Sequence, residues 1–581
     1  MILLYINKMC GIFALLNNDN DNKHNDNKQF KEKQLQACFE IGKKRGPEGS
    51  IYREIYKQQI MGFHRLAING LNEESSQPLI LDNVSLICNG EIYNYKELYA
   101  TCGITPTTSS DCEVIIHLYI LYGIEYTLNL LDGVFAFVLF DNRNIDNPIV
   151  HVARDPFGVR PLYMMSMPLY IMSGVATHMQ TYAFASELKV LTTLLADSTP
   201  PEKKYYINHF QPGTYTSFII DNTQRFVVLT PSTKYTAFQF NDDLGKNKCD
   251  LIVYYTLWEM LNNAVKKRVV GTTERPIACL LSGGLDSSLI TALVKRYYTG
   301  TLETYSIGMA GSEDIKHAEQ VAEYLGTKHT SIILTEDEFF DAIPEVIRTI
   351  ESYDTTTVRA SVGNYLIGKY ISQHSQAKVI FNGDGSDELT GGYLYFHEVP
   401  NDIEFDKECK RLLTDIHAFD VLRSDKCISS HGLEPRTPFL DRAWVAYYLS
   451  ISPSIRNPPK QKNSSNKNKC IEKRLLRTVF SECDPDLLPE HIMWRRKEAF
   501  SDGVSGTNKA WYEVIRDRLA SGSINLRKTI EPGLTLEQHY YKSIFLEAYP
   551  GCEQVVPYYW MPRFVVGATD SSARTLKCYT S

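Results

Sequence analysis

Residues 277 to 293 run Ile-Ala-Cys-Leu-Leu-Ser282-Gly283-Gly284-Leu285-Asp286-Ser287-Ser288-Leu-Ile-Thr-Ala-Leu. An apolar run of strand length breaks at two glycines and resumes at helical spacing, which predicts strand, tight loop, helix. Such a loop holds phosphate. Its glycines let the backbone approach an anion, the hydroxyls of Ser287 and Ser288 donate, and the helix start adds unpaired N–H groups. The Gly-Lys-Ser/Thr ending of a phosphoryl-transfer loop is missing. Asp286 stands there instead, and a carboxylate beside phosphates suits Mg²⁺, which takes oxygen ligands from acid and phosphate together. A glycine-rich turn without a ligand is the bland alternative, and seven residues in this order outweigh it.

A second stretch, Asn382-Gly383-Asp384-Gly385-Ser386-Asp387-Glu388, crowds carboxylates into a turn after an apolar run, without the spacing of an EF-hand. Placed opposite Asp286, Asp387 completes a Mg²⁺ site, and Asp384 is left to take a proton from an attacking amine. Upstream, Glu351, Asp354 and Arg359 supply acid and base suited to holding an amino acid. In Trp494-Arg495-Arg496-Lys497-Glu498, Lys497 is a mobile point charge able to neutralise an anionic leaving group. A third candidate is Cys10. A thiol near neutral pH is mostly protonated and needs a base. If Met9 is the start and is removed, the α-amino group of Cys10, with a pKa of about 7.7 to 8.0, serves as that base. Residues 1–9 then read as an extension or a misassigned start.

The elements that must position these groups follow from the pattern around them. A chain of 581 residues exceeds one core and divides into domains. Alternation over Val84 to Ile87, Val134 to Phe140 and Ile149 to Ala153 predicts packed sheets in the first third. Polar low complexity at 17 to 34 reads as a solvated loop, and 457 to 469 as a flexible insertion. After a polar stretch at 241 to 248, strand-like and helix-like segments alternate from Leu251 onward. They predict a mostly parallel sheet with helices on both faces and ligands at the strand C-terminal ends. The net charge of -7 gives no reason to expect nucleic acid or an anionic membrane as partner. Thirteen cysteines without paired CxxC spacing fit reduced thiols and a cytoplasmic setting. No apolar run approaches the roughly 20 residues of a membrane helix, and Met1 to Ile6 lacks the flanks of a signal peptide.

Around Cys10, five more stretches follow in the order and approximate spacing of class II glutamine amidotransferases. They are Lys44-Arg45-Gly46-Pro47-Glu48, His64-Arg65-Leu66-Ala67-Ile68, Asn89-Gly90-Glu91-Ile92-Tyr93-Asn94, Ser110-Asp111-Cys112-Glu113 and Leu131-Asp132-Gly133. The resemblance continues through Arg154-Asp155-Pro156-Phe157-Gly158 to Ala185-Ser186-Glu187. It implies an α+β N-terminal-nucleophile hydrolase sandwich of αββα layers over residues 10–220, with Cys10 as nucleophile. Hydrolysing an amide passes through an oxyanion, for which the Asn89 side chain and the Gly90 N–H are suited donors. The guanidinium of Arg65 suits the substrate α-carboxylate, with Asp111 and the Glu91 region as candidates for its α-ammonium. By the same resemblance Leu66 and Ile68 join the glutamine pocket. One departure is visible: the family pattern His-Arg-Gly-Pro-Asp stands here as Lys44-Arg45-Gly46-Pro47-Glu48.

The phosphate loop resembles the signature of ATP pyrophosphatases. With Glu434-Pro-Arg436-Thr-Pro438, the Trp494 to Gly503 segment and Asp570-Ser-Ser-Ala-Arg574, nearly the whole chain resembles the glutamine-hydrolysing asparagine synthetases. The family pattern has Ser-Gly-Glu where this chain has Asn382-Gly383-Asp384, one methylene shorter at the proton acceptor. The resemblance implies a linker at 221–250 and an α/β parallel-sheet ATP-pyrophosphatase domain over 251–581. In it Leu280, Ile307, Asn382 and Gly383 border ATP, and Glu351, Asp354 and Arg359 hold aspartate. It implies Mg²⁺ at Asp286 and Asp387, ammonia passing from the first site to the second, small-molecule partners only, and allows a homodimer. Intact-mass measurement is expected to find a mature chain that begins at Cys10; a chain that keeps Met1 removes Cys10 as the nucleophile.

Overall fold

The computed structural model describes residues 10–18, 30–57, 59–168, 180–196, 205–221, 225–236, 250–272, 274–458, 471–506, 509–521 and 531–576. Residues 1–9, most of the expected loop at 17–34, the polar stretch 241–248 and most of the insertion expected at 457–469 lie outside them. Two compact units emerge. One comprises Met1–Ala237, Ser429–Leu433 and Leu546–Val555, and the other comprises Phe238–Ile428, Glu434–Phe545 and Val556–Ser581.

The first unit has strands β1 (Gly11–Leu16), β2 (Gly49–Tyr56), β3 (Gln59–Arg65), β4 (Leu79–Leu81), β5 (Val84–Ile92), β6 (Gly133–Asp141), β7 (Ile149–Arg154), β8 (Tyr163–Pro168), β9 (Gln180–Ala185), β10 (Tyr206–His209), β11 (Thr214–Ile220) and β12 (Phe226–Lys234). They form two six-stranded sheets, β10-β8-β9-β1-β3-β2 and β12-β11-β7-β6-β5-β4. Every pairing within them is antiparallel. Side chains alternate across a strand. Ile12, Ala14 and Leu16 therefore point one way, where they share a core with Phe63 and Phe184 of their own sheet and Val138, Phe140 and Phe218 of the other. Helices α1 (Glu32–Ile41), α2 (Tyr95–Cys102), α3 (Glu113–Leu130) and α4 (Leu188–Ala196) supply the outer layers. Leu86, Phe135 and Phe137 pack outward against Leu98, Val114 and Leu118 of α2 and α3. On the other side Phe13 meets Phe39 of α1 at a ring separation of 6.4 Å. The order is helix, sheet, sheet, helix. Strands covered on both faces read as nearly continuous apolar runs, and in β6 every residue after Gly133 is buried.

One boundary differs from the sequence reading. Phe226–Lys234, inside the expected 221–250 linker, is β12 and pairs with β11 from Ile220 back to Thr214. Its outer residues are exposed, as on an edge strand, so its polar half carried no sheet signal.

The second unit is built on β13 (Ile277–Leu280), β14 (Glu303–Met309), β15 (Lys328–Leu334), β16 (Val379–Phe381) and β17 (Glu434–Arg436). Their order is β15-β14-β13-β16-β17, all parallel, as the alternating pattern predicts. Helix α5 (Asp250–Val270) leads into β13, and connections run through α6 (Leu285–Tyr297), α7 (Glu313–Leu325), α8 (Glu336–Asp341), α9 (Ile343–Ile350), α10 (Thr355–His374) and α11 (Ser386–Thr390). From β13 the chain winds outward on one side and then returns to β16 on the other. The C-terminal ends of β13 and β16 therefore flank the switch point where such sheets bind ligands.

Phe39 carries much of the first unit's α1 layer, stacking on His64 at 3.9 Å and lying where a Cβ on Gly62 would come within 2.6 Å of its ring. Phe39→Ala is expected to lower the stability of this unit by about 3–5 kcal/mol in urea unfolding; an unchanged midpoint contradicts this packing.

Candidate active site

Cys10 immediately precedes β1, whose pairing sets Gly11 opposite His64. Its Sγ is half-buried, receives the Leu66 N–H at 3.3 Å and donates to the Leu66 carbonyl at 3.3 Å. The fully buried Arg45 donates to the Cys10 carbonyl at 2.9 Å, and Ser186 Oγ accepts the Ile12 N–H at 3.1 Å. Asn89 reaches this point from the other sheet, its Nδ2 lying 3.5 Å from Ser186 Oγ. A Cβ on Gly90 would sit 2.5 Å from the Val134 carbonyl, so only glycine fits beside Asn89. Asp111 accepts the Ile92 N–H at 2.7 Å, and Glu91 accepts from Asn69 at 2.9 Å. Arg65 donates to the Asn72 carbonyl at 2.8 Å, to Ser76 Oγ at 2.9 Å and to the Gly70 carbonyl. Leu66 and Ile68 are buried. Hydrogen bonds and strand pairing thus tie Cys10, Arg65, Leu66, Asn89, Glu91 and Asp111 to the same ends of β1, β3 and β5. The variant Glu48 reaches the Ala67 N–H at 2.8 Å and so closes its loop on this site.

His64 is structural. Burial pushes its imidazole below the ordinary range, and its two nitrogens engage the Phe39 carbonyl and Ser50 Oγ, both at 2.8 Å.

In the second unit a cleft of about 1500 Å³, counting its open mouth, lies over the ends of β13 and β16. Gly283 has φ +70° and a Cβ there would come within 2.5 Å of the α7 backbone, so glycine is required twice over. Ser282 Oγ and Ser287 Oγ are 3.0 Å apart, and the Gly284 N–H points to Ser282 Oγ at 3.4 Å. Gly383 brings its turn onto the start of α6, where a Cβ would be 2.8 Å from Asp286 Cβ. Leu280, Ile307, Asn382 and Gly383 all line the cleft. Asn382 Nδ2 donates to Ser424 at 2.7 Å. Ser288 is fully buried under the loop and does not face the cleft.

Charge concentrates between the two turns. Asp286 accepts from Ser386 Oγ at 2.8 Å and pairs with Lys473, whose ammonium is also 2.5 Å from Asp387. Lys497 lies 2.7 Å from the other oxygen of Asp387. Burial alone would raise the Asp387 carboxyl, but the Lys473 and Lys497 ammonium groups hold it well below the usual carboxylate range. Beside them, burial raises Asp384 against the opposing pull of Arg423, 3.2 Å away. Burial and the Asp420 charge push Glu388 well above the usual range, and Tyr393 donates to it. Among the described residues no group of three or more His, Cys, Asp or Glu side chains forms a metal cage. Asp286 and Asp387 nonetheless already converge on one cation, the Lys473 ammonium. Two carboxylates beside a phosphate loop are a donor set that fits Mg²⁺, which completes its shell with phosphate oxygens and water.

Comparison with known proteins matches both parts of the chain. A glutamine amidotransferase domain family matches residues 9–226, and the asparagine synthase family matches 256–404 and 398–569. The glutamine-hydrolyzing asparagine synthetase of Gallus gallus is 38% identical over 601 residues, covering 99% of each chain. That of Homo sapiens is 37% identical over 610 residues, again covering 99% of each. The chain belongs to the glutamine-hydrolyzing asparagine synthetase family.

Three side chains expected to hold aspartate have partners within the protein. Arg359, 4% exposed, spends its fork on Glu537 at 2.8 and 2.6 Å and on Asp570 at 2.7 and 2.8 Å. Asp354 caps α10 through the Thr357 N–H at 2.8 Å and also holds the Trp560 N–H at 2.7 Å. Glu351 is buried in a pair with Lys426. A buried carboxylate or guanidinium must be paired, and each of these found its partner inside the protein. None of the three lines the cleft over β13 and β16. Lys473, conversely, carries no motif signal: it follows a low-complexity stretch, and only the fold brings it between Asp286 and Asp387. Arg423 is likewise identified by the fold alone.

Burial raises the Asp354 carboxyl from the ordinary 3.8 to about 6. Between these pH values the folded chain holds a proton that the unfolded chain has lost, so stability is greatest below the window. It falls as pH rises through it, by up to ~3 kcal/mol. Asp354→Asn cannot ionise and keeps one of the two accepting oxygens; it is expected to lower stability overall and to flatten this part of the pH–stability curve, and an unaltered slope contradicts the assignment.

Proposed function

We propose that this chain makes asparagine from aspartate with ATP as co-substrate and glutamine as nitrogen donor, through two chemically separate centres. In the first, read as an N-terminal-nucleophile hydrolase sandwich over about residues 10–237, the Cys10 α-amine takes the thiol proton. The sulfur attacks the glutamine amide carbon, Asn89 and the Gly90 N–H hold the oxyanion, and ammonia leaves before water releases glutamate. Arg65 binds the glutamine α-carboxylate, Asp111 and Glu91 its ammonium, and Leu66 and Ile68 the stem.

In the second, a β-carboxylate oxygen of aspartate attacks the α-phosphorus of ATP and pyrophosphate departs. The nitrogen of ammonia then attacks the acyl carbon, AMP leaves, and Asp384 takes the proton released. The loop of Ser282, Gly283, Gly284 and Ser287 cradles phosphate, while Leu280, Ile307, Asn382 and Gly383 border the nucleoside. Lys473 and Lys497 neutralise pyrophosphate as its charge develops. Asp286 and Asp387 would hold Mg²⁺, which supplies Lewis-acid charge to the phosphates when bound. The observation that carries this reading is the meeting of these two carboxylates with two lysines at the ends of β13 and β16. No described helix is long and apolar enough to cross a membrane. A cytoplasmic setting, a homodimer and small molecules as the only other partners complete the proposal.

Products are to be analysed with aspartate, MgATP and either glutamine or ammonium. Cys10→Ala is expected to lose only the glutamine-dependent reaction, and Asp286→Ala both. Asp384→Asn is expected to slow asparagine formation by about 10²–10⁴-fold while pyrophosphate release continues. Equal loss of both reactions in Cys10→Ala contradicts the division of labour.

A further inference from the structure

The segment that bears Lys497 has no regular structure: residues 495–499 belong to neither helix nor strand. A lysine is a flexible point charge, and on an irregular loop its position depends on what ties the loop down. The anchors within the unit's body are Asp314, 2.8 Å from Arg495, and Glu472, which accepts the Lys497 N–H at 2.8 Å. Another comes from near the C-terminus. Arg574 donates to Glu498, the neighbour of Lys497, at 2.7 Å, to the Asp502 carbonyl at 2.9 Å and to the Gly506 carbonyl at 3.3 Å. Ser572 Oγ donates to the Asp502 side chain at 2.8 Å.

The segment that carries Arg574 is also held by α10 and its cap. Asp570 takes both nitrogens of the Arg359 fork, and Trp560, which lines the cleft, is bonded through its N–H to Asp354. Thr356 and Thr357 of α10 line the cleft, as do Arg495 to Ser501. Residues 560–574 therefore cross-link two walls of one cleft, with two charged forks near the C-terminal end, at Asp570 and Arg574, and the Trp560 N–H on Asp354 at the other. This explains why Arg359 is buried among protein carboxylates.

We infer that Arg574 is a positioning residue for Lys497, acting through Glu498 and the 502–506 backbone, and that Arg359 anchors the strap against which it works. The inference rests on the proposed role of Lys497 at pyrophosphate. A lysine that acts on charge developing in the transition state affects kcat more than nucleotide affinity. Misplacement of a catalytic group by about 1 Å can cost 10²-fold.

The test is a double-mutant cycle on ammonium-dependent synthesis in the full chain, with glutamine hydrolysis by the first unit as a control on protein quality. Arg574→Ala is expected to lower kcat roughly 10- to 100-fold, with the KM for MgATP changed less than about twofold. In a Lys497→Ala background the same substitution is expected to cost less than about twofold, because the side chain it positions is gone. Glu498→Gln, which removes the pair from the loop side, is expected to behave like Arg574→Ala, and Arg574→Lys to recover part of the loss. An equal factor in both backgrounds, or no loss in the otherwise unaltered chain, overturns the inference. If Lys497→Ala itself leaves pyrophosphate release unslowed, the reading of Lys497 and the inference fall together, and the two failures are thereby told apart.

Discussion

A half-buried carboxylate held between two ammonium groups is the constraint around which the second unit's cleft is arranged. Asp387 is kept ionised by Lys473 and Lys497, and Lys473 extends the pairing to Asp286. Two acids and two bases cancel, so the quartet is stable without ligand, and each member is a group that a metal–phosphate ligand can re-partner. Phosphate oxygens suit the lysines, and a divalent cation suits the acids. Exchange of partners replaces one set of half-buried pairs by another and leaves no charge stranded, which is the condition for ion pairs shielded from water.

The parallel sheet makes this meeting possible. β13 and β16 are adjacent in space but about a hundred residues apart in sequence, and each ends in a turn that glycine allows to come close. Gly283 and Gly383 are small for different reasons, one for its positive φ beside α7, the other for contact with Asp286. The first unit solves a similar problem differently. There β1 and β5 lie in different sheets, and Ser186 links Cys10's strand to Asn89.

Much of this was legible before the structure. Local motifs carry their own geometry, so the phosphate loop and the carboxylate turn were read at the right strand ends, and the alternation after Leu251 announced the parallel sheet. What escaped depends on distant partners. Lys473 stands in no motif and gains meaning only from the two turns that the fold brings to it. Arg359, Asp354 and Glu351 had the residue types a substrate site needs, but Glu537, Asp570, Trp560 and Lys426 claimed them. Edge strand β12 hid because one of its faces meets water.

Synthesis through an acyl-adenylate requires that an oxygen of aspartate become bonded to the α-phosphorus of ATP and leave in AMP. Synthesis from aspartate labelled with ¹⁸O in its β-carboxylate, followed by mass analysis of the nucleotide product, measures this directly. The expected product is AMP carrying one ¹⁸O per asparagine formed. AMP without label, or ADP and phosphate as the products, would contradict it.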